Sequence, residues 1–160
     1  MSASPSRVVL RSMRRGHVEQ LVALEAKAFR SFYRPHRFTE KDFLRYLERD
    51  NTIALVAVKP GNVVVGYVLG VAPTTRYRQA ARLDSIAVAR AWRARNIGQR
   101  LLRRFLRVAH TRGCRYVSLE VAEQNAPARR LFGEAAFRRL RRLPRYYSAS
   151  TDALRLRATL

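Results

Sequence analysis

Residues 83–102 read LDSIAVARAWRARNIGQRLL, and this stretch decides the fold. It begins with an apolar, β-branched segment, residues 83–88, which predicts a strand. A basic loop follows over residues 89–96, and a helix begins at Ile97. The free backbone N–H groups and the dipole of a helix N-terminus form a site for anions. The stretch therefore predicts a strand, a loop and a helix that together bind phosphate, although an ordinary helix start with solvated arginines has the same pattern.

The helix that follows, over residues 97–110, is strongly amphipathic. One face carries the apolar side chains of Leu101, Leu102, Phe105, Leu106 and Ala109, and the other carries Arg100, Arg103, Arg104 and Arg107. Gly113 suits the left-handed position that commonly ends a helix. The apolar face predicts that this helix packs against a sheet.

The rest of the chain alternates between strand and helix patterns without a repeat or a linker. Strands are predicted over residues 7–13, 52–58, 63–71 and 116–121, from Phe137 onward, and over 152–160. Helices are predicted over residues 17–29 and 127–136, and another one starts at a Thr39 cap. A turn over 60–62 and a polar loop over 73–81 connect them. We expect a flexible tail over residues 1–6 and one domain over residues 7–160.

Composition narrows the class of protein. The 160 residues match one domain, and no apolar run approaches the roughly 18 residues of a membrane span. The single Cys114 excludes an intrachain disulfide and agrees with a cytoplasmic location. The three histidines are widely spaced, so neither a metal site nor a nucleophile–base pair is expected. No membrane contact is expected.

The charge is unusual, with 33 basic residues against 11 acidic ones and a formal net charge of +22. All but three of the basic residues are arginines. Such an excess indicates a polyanionic partner, which could be a ribosome, a nucleic acid or an acidic protein. A biased composition explains the preference for arginine but not the scarcity of acids, and both interpretations stay open.

Several motifs in register resemble those of the GNAT N-acetyltransferases. Residues 93–98 (RARNIG) are similar to the family's Arg/Gln-x-x-Gly-x-Gly/Ala signature, with Asn96 where the family usually has Gly. Leu119-Glu120-Val121 is followed by Asn125, Phe132 and Phe137 at the spacing of the bacterial ribosomal-protein-alanine N-acetyltransferases. Arg145-Tyr146-Tyr147 resembles a loop of the same enzymes.

This resemblance implies an α/β GNAT fold, in which helices flank a mixed, mainly antiparallel sheet. The parallel strands over 83–88 and 116–121 are expected to separate and admit acetyl-CoA as co-substrate, with no metal. The implied coenzyme contacts are the backbone of Ile86, Ala87 and Val88, the phosphate loop formed by Arg93, Ala94, Arg95, Asn96, Ile97, Gly98 and Gln99, and the side chains of Asn125 and Phe132. Asn125 also suits a simple helix cap.

The resemblance also implies the catalytic groups. Glu120 would be the general base that takes a proton from the acceptor amine, with a solvated acid at a strand end as the alternative. Phe132 replaces the tyrosine that protonates the departing thiolate in the family, and Ala136 replaces the usual glycine. Tyr146 or Tyr147 could supply the missing proton, unless both only line the acceptor groove or the core.

The implied function is acetyl transfer to an amine by direct attack on the thioester. An α-amine, with a reference pKa near 7.7–8.0, is more often neutral at pH 7 than a lysine near 10.4, so a protein N-terminus is the expected acceptor. Two alternatives remain. One is a GNAT domain that binds acyl-CoA as a sensor with little turnover, and the other is a basic adaptor on nucleic acid or the ribosome.

Overall fold

The structure is a computed structural model that describes residues 7–28, 37–73 and 79–160. The predicted tail over residues 1–6 and the predicted helix end at Phe29 lie outside the described residues. The described residues form seven strands and four α-helices in the order β1 (Val9–Ser12), α1 (Val18–Ala28), α2 (Glu40–Leu47), β2 (Thr52–Lys59), β3 (Val63–Val71), β4 (Ala80–Val88), α3 (Ile97–Thr111), β5 (Tyr116–Ala122), α4 (Ala126–Glu134), β6 (Arg138–Ser148) and β7 (Thr151–Thr159).

The strands form one mixed sheet in the order β1-β2-β3-β4-β5-β7-β6. Only β4 and β5 pair in parallel, and every other neighbouring pair is antiparallel. Helices α1 and α2 cover one face of the sheet over a core that includes Leu21, Phe43 and Tyr67. Helices α3 and α4 cover the other face over a second core that includes Leu101, Phe105 and Phe132. This arrangement is the predicted α/β architecture.

Helix α3 lies on the sheet as its apolar pattern predicts. Ile97, Leu101, Leu102, Phe105 and Ala109 are buried. The sheet leaves room for the Phe105 ring at Gly70, where a Cβ atom would lie 2.1 Å from the Arg82 carbonyl oxygen and 2.7 Å from the ring. Only glycine fits this close approach of helix and sheet. The helix ends at Thr111, and Gly113 adopts the expected left-handed conformation with φ of +87°.

Three predicted boundaries are wrong by more than one residue. The first strand is shorter than predicted, at Val9–Ser12, and β4 begins at Ala80, inside the segment predicted as a loop. Helix α4 ends at Glu134 rather than Ala136, because Ala136 has a φ of +64° and cannot continue a right-handed helix. Within the described ranges, no helix is long and apolar enough to cross a membrane.

Candidate active site

The parallel strands β4 and β5 separate after three residue pairs. Their register pairs Ala80 with Tyr116, Ala81 with Val117 and Arg82 with Ser118, and no pairing between them continues beyond that point. A bulge in β4 lies just beyond it, since Gly70 pairs with Leu83 and Leu69 with Ser85. Asp84 is therefore the extra residue on the bulged strand. The result is the predicted gap between β4 and β5, open toward their carboxyl ends.

Beyond the bulge, successive residues of β4 direct their backbone N–H and C=O groups alternately toward β3 and toward the gap. The Ala89 N–H donates to the Val65 carbonyl of β3 at 2.8 Å. Because successive residues of a strand point their N–H and C=O groups to opposite edges, Ala87 also faces β3, while Ile86 and Val88 face the gap. Two of the three predicted backbone contacts, Ile86 and Val88, are thus directed at the gap, and that of Ala87 is directed away from it.

The loop between β4 and α3 exposes backbone donors at the mouth of the gap. Ala94 and Asn96 both have a φ of +60°, so Asn96 adopts the left-handed conformation that the family's glycine would take. The first helical hydrogen bond runs from Arg100 N–H to Asn96 O at 3.0 Å. The amides of Ile97, Gly98 and Gln99 precede it and have no acceptor within the helix. The first turn contains no acidic residue, so its charge favours an anion.

Gly98 faces helix α4. A Cβ atom there would lie 3.5 Å from the Leu131 side chain, which is an ordinary contact, and its nearest other neighbour would be Val88 at 3.8 Å. An alanine therefore fits, whereas a bulky side chain would fill the space between the first turn of α3 and α4. The residues present fit the pyrophosphate of coenzyme A, because the loop offers free amides, positive charge and no side chain at Gly98.

The two arginines that were predicted to bind phosphate, Arg93 and Arg95, are held by neighbouring groups of the protein. The Arg93 Nε donates to the Val88 carbonyl oxygen at 3.2 Å. The Arg95 guanidinium lies 4.6 Å from the centroid of the Trp92 ring, a cation–π contact. Both positive charges lie near the N-terminus of α3. These contacts, however, occupy part of the Arg93 and Arg95 side chains that were predicted to bind phosphate.

Asn125 is the N-cap residue of α4, the helix that follows β5, and Phe132 lies within that helix. The Asn125 Oδ1 accepts from the Ala128 N–H at 3.2 Å, which confirms the helix-cap interpretation. Phe132 is buried, with its ring centroid 5.5 Å from that of Phe137. Its ring belongs to the core beneath α4 and carries no proton to donate.

Glu120 is not the isolated acid that its apolar neighbours suggested. Its Oε1 accepts from Arg155 Nη2 at 2.9 Å and from Arg155 Nε at 3.1 Å. The two residues are direct partners across β5 and β7, and the Glu120 side chain is 17% exposed. Glu120 lies two residues beyond Ser118, the last β5 residue paired with β4, so its carboxylate is at the start of the gap.

Tyr146 lies near this ion pair, whereas Tyr147 is buried. Burial raises the pKa of the Tyr146 hydroxyl, the negative charge of Glu120 raises it further, and Arg155 and Arg82 oppose the shift. A raised pKa keeps the hydroxyl protonated at neutral pH, so it can donate. Tyr147 is buried against Ala122 and Ala153 and belongs to the core.

A second carboxylate lies beside the gap and was not predicted from the sequence. Asp84, on the bulge, accepts hydrogen bonds from Arg82 Nε and, at 2.6 Å, from the Tyr46 hydroxyl of α2. Burial and the hydrogen bond to Asp84 raise the pKa of Tyr46. An acid inside an apolar strand was the available signal for Asp84. No pattern in the sequence marks Tyr46 as its partner.

A buried carboxylate, Glu25 of α1, was also missed. It accepts hydrogen bonds from the Tyr67 hydroxyl, from Ser85 Oγ at 3.4 Å and from the Phe38 N–H at 3.1 Å. Burial raises its pKa from 4.5 to about 7, with the hydrogen bonds from Phe38 and Ser85 opposing. Glu25 thus joins α1 to β3, to the bulge region of β4 and to the segment that precedes α2.

Comparisons with known proteins agree with this geometry. Residues 18–137 match the model of the Acetyltransferase (GNAT) family. The catalytic subunit NAA20 of the N-terminal acetyltransferase B complex of Arabidopsis thaliana is 27% identical over 124 residues, which cover 77% of this chain and 71% of that protein.

Two solved structures are similar in fold. The ribosomal-protein-S18-alanine N-acetyltransferase from Escherichia coli superposes with a TM-score of 0.82 at 18% identity, over 96% of this chain and 94% of that one. Arabidopsis thaliana NAA60 in complex with acetyl-CoA gives a TM-score of 0.82 at 20% identity, over 96% of this chain and 99% of that one.

Proposed function

Because the chain belongs to the acetyltransferase (GNAT) family and is an acetyl-CoA-dependent acyltransferase, we propose that it acetylates the α-amine of a protein N-terminus. One observation carries the proposal. An ion-paired carboxylate, Glu120, and a tyrosine held in its protonated form, Tyr146, lie together where β4 and β5 separate. This position provides a base and an acid beside the gap in which a thioester would lie.

Coenzyme binding is assigned to the mouth and the inner edge of the gap. The amides of Ile97, Gly98 and Gln99 would hold the pyrophosphate, with the charges of Arg93 and Arg95 alongside. The backbone groups of Ile86 and Val88 would bind the pantetheine arm in the manner of an added strand. The Val88 N–H would then donate to the thioester carbonyl oxygen as negative charge develops on it.

The transfer follows from the groups at the gap. The acceptor nitrogen attacks the thioester carbonyl carbon, and its proton passes to Glu120, directly or through a water molecule. As the carbonyl re-forms, the C–S bond breaks and the Tyr146 hydroxyl donates its proton to the departing sulfur. Protonated Glu120 then releases its proton to solvent, and solvent reprotonates the Tyr146 phenolate. Each turnover therefore yields an amide and a thiol and restores both side chains. Direct attack needs no nucleophilic side chain of the protein.

The acceptor assignment rests on proton chemistry and on relatives. An α-amine loses its proton about two to three pH units below a lysine side chain, so it needs less help from a carboxylate that an arginine already neutralises. NAA20, the relative at 27% identity, is by name a subunit of an N-terminal acetyltransferase. A cytoplasmic location agrees with such an acceptor and stays a prediction.

A second candidate is a domain that binds acyl-CoA as a sensor with little turnover. The observation that favours it is Phe132, whose buried ring replaces the family's acid. Titration calorimetry with acetyl-CoA and product assays on a peptide panel separate the two functions. The enzyme binds the coenzyme and acetylates free peptide N-termini, but not peptides whose N-terminus is blocked. The sensor binds and yields no acetylated product on any amine.

The coenzyme site has its own test at Gly98. We expect Gly98→Trp to abolish acetyl-CoA binding, because the indole would fill the space beside Leu131. Gly98→Ala is the matched control and should keep the wild-type affinity within about threefold, because its Cβ makes only ordinary contacts. No binding by the folded, coenzyme-free wild type would contradict the assignment.

A further inference from the structure

A cleft of about 780 Å³ lies at the β1 edge of the sheet, away from the gap. Strands β2 and β3 lie between β1 and β4, so the cleft and the gap are on different parts of the sheet. Its walls come from residues 7–12, the turn before α1, and the β2–β3 turn at residues 60–62. Nothing in the proposed acetyl transfer uses this cleft.

The lining is basic and contains no acid. Arg7, Arg11, Arg14 and Lys59 line the cleft, and none of its lining residues is Asp or Glu. Among the residues that the structure describes, none of these four side chains forms an ion pair with a carboxylate. Lys59 instead places its Nζ 5.3 Å from the centroid of the Trp92 ring. Uncompensated like charges around a concave surface repel one another and focus a positive field into it.

The walls are joined by specific hydrogen bonds through a buried histidine. The His17 Nδ1 accepts from the Arg14 N–H at 3.0 Å, which leaves the proton on Nε2 to be donated to the Asn62 Oδ1 at 3.2 Å. Gln20 adds bonds to the Asn62 carbonyl at 3.2 Å and from the Val64 N–H at 2.8 Å. The turn before α1 and the β2–β3 turn are therefore held in one arrangement, and the cleft exists before any ligand binds.

We propose that this cleft binds a small ligand carrying a di- or triphosphate group. Guanidinium groups bind phosphate oxygens with paired, charge-assisted hydrogen bonds, and three arginines line the cleft. Its volume lies in the range of roughly 300–1,000 Å³ that small-molecule sites occupy. The cleft suits a compact anion better than the extended backbone of a nucleic acid, which would contact a wider surface.

The test is calorimetric titration with inorganic tripolyphosphate at about 150 mM salt, where long-range attraction is screened within about 8 Å. The protein is first saturated with coenzyme A so that the phosphate loop of α3 is filled, and the titration is repeated without coenzyme. Arg11→Gln/Arg14→Gln alters the cleft. Arg103→Gln/Arg107→Gln is the matched control, because it removes the same charge from two exposed arginines of α3.

The expected result is saturable one-to-one binding by the wild type with coenzyme present. The cleft variant should bind about tenfold or more weakly, and the α3 variant within about twofold of the wild type. Absence of saturable binding in the wild type would overturn the proposal, and so would equal losses in the two variants, which indicate general electrostatic attraction.

Two further probes identify the source of the phosphate. If ATP binds at least as tightly as tripolyphosphate and loses affinity only in the cleft variant, the ligand is a free nucleotide. If ATP binds more weakly than tripolyphosphate with the same variant dependence, the cleft recognises phosphate alone. A duplex RNA that displaces tripolyphosphate, with equal losses in both variants, would overturn the proposal in favour of a broad nucleic-acid surface.

Discussion

Glu120 and Arg155 face each other across β5 and β7, and one carboxylate oxygen of Glu120 accepts two hydrogen bonds from the guanidinium at 2.9 and 3.1 Å. The pair lies where β5 leaves β4, so the proposed base is fixed in position by a neighbouring strand. This contact orients the carboxylate at the start of the gap, where the acceptor amine is proposed to react. It also means that a substitution of Glu120 must be judged for both stability and turnover.

Glu120→Gln should lower kcat by about 10²- to 10⁴-fold, the usual contribution of a positioned general base. Glutamine keeps an oxygen for Arg155 but cannot take a proton. The affinity for acetyl-CoA should change by less than about twofold, because Glu120 is remote from the phosphate loop. The matched control is Glu123→Gln, which removes the nearby carboxylate that pairs with Arg142 and should keep full turnover. Equal kcat values for the wild type and Glu120→Gln would show that Glu120 is not the general base.

Tyr146→Phe should lower kcat by about 10²-fold, the lower end for a general acid, with little change in thermal stability because the side chain is half exposed. The loss should shrink with a thioester whose leaving thiol is more acidic, because such a thiolate needs no proton. Tyr147→Phe is the control for the same change in the buried neighbour and should affect stability more than turnover. If Tyr146→Phe keeps full turnover with every donor, Tyr146 is only a wall of the acceptor groove.

Glu25 makes the stability of the fold depend on pH. Its pKa is raised to about 7 in the folded chain, so the folded state holds a proton that the unfolded state releases above about pH 4.5. Its contribution is therefore fully present below about pH 4.5 and is lost as the pH rises through 7. At about 1.4 kcal/mol per unit, the loss amounts to roughly 3 kcal/mol.

Urea unfolding of the wild type and Glu25→Gln at pH 5 and pH 8 measures this effect. The free energy of unfolding of the wild type relative to the variant should fall by about 2.5 kcal/mol between the two pH values, because part of the loss has already occurred by pH 5. The exposed Glu19 on the same helix supplies the control, because Glu19→Gln makes the same chemical change outside the buried cluster around Glu25. A pH-independent difference for Glu25→Gln would show that its carboxyl titrates normally.

The sequence predicted those parts of the site that depend on local patterns. The amphipathic helix at Ile97, the phosphate loop with Asn96 in the left-handed region and the cap at Asn125 all depend on neighbours within a few residues. The separation of β4 and β5 followed from the resemblance of several motifs in register. Each of these features needs only the periodicity or spacing of the residues themselves.

The features that were missed depend on register and docking. Pairing of Glu120 with Arg155 requires the alignment of two strands that are 35 residues apart in sequence. The contact of Tyr46 with Asp84 requires both the bulge in β4 and the placement of α2. Neither strand register nor helix docking produces a pattern among residues that are neighbours in sequence. The charged contacts of the site therefore could not be predicted from the residues alone.

Ala136, like Asn96, stands where the family usually has glycine, and its backbone conformation is unfavourable for alanine. Its φ of +64° is unfavourable for a residue with a Cβ atom by about 1–2 kcal/mol, whereas glycine adopts it freely. Glycine also gains freedom in the unfolded chain, which offsets about 0.4–1 kcal/mol. Ala136→Gly should therefore raise the free energy of unfolding by about 0.5–1 kcal/mol and the Tm by about 1–4 °C.

The adjacent Ala135 provides the control for this substitution. It has an ordinary φ of −93°, so Ala135→Gly gains no relief of strain and should lower the free energy of unfolding by about 0.4–1 kcal/mol. Paired urea and thermal unfolding curves of the two variants measure the opposite signs. Glycine adopts the same φ, so the packing of Phe137 on Phe132 should not change. The Ala136→Gly variant should therefore also keep wild-type acetyl-CoA affinity. Two variants destabilised to the same extent would mean that Ala136 is not strained and that its φ does not explain the early end of α4.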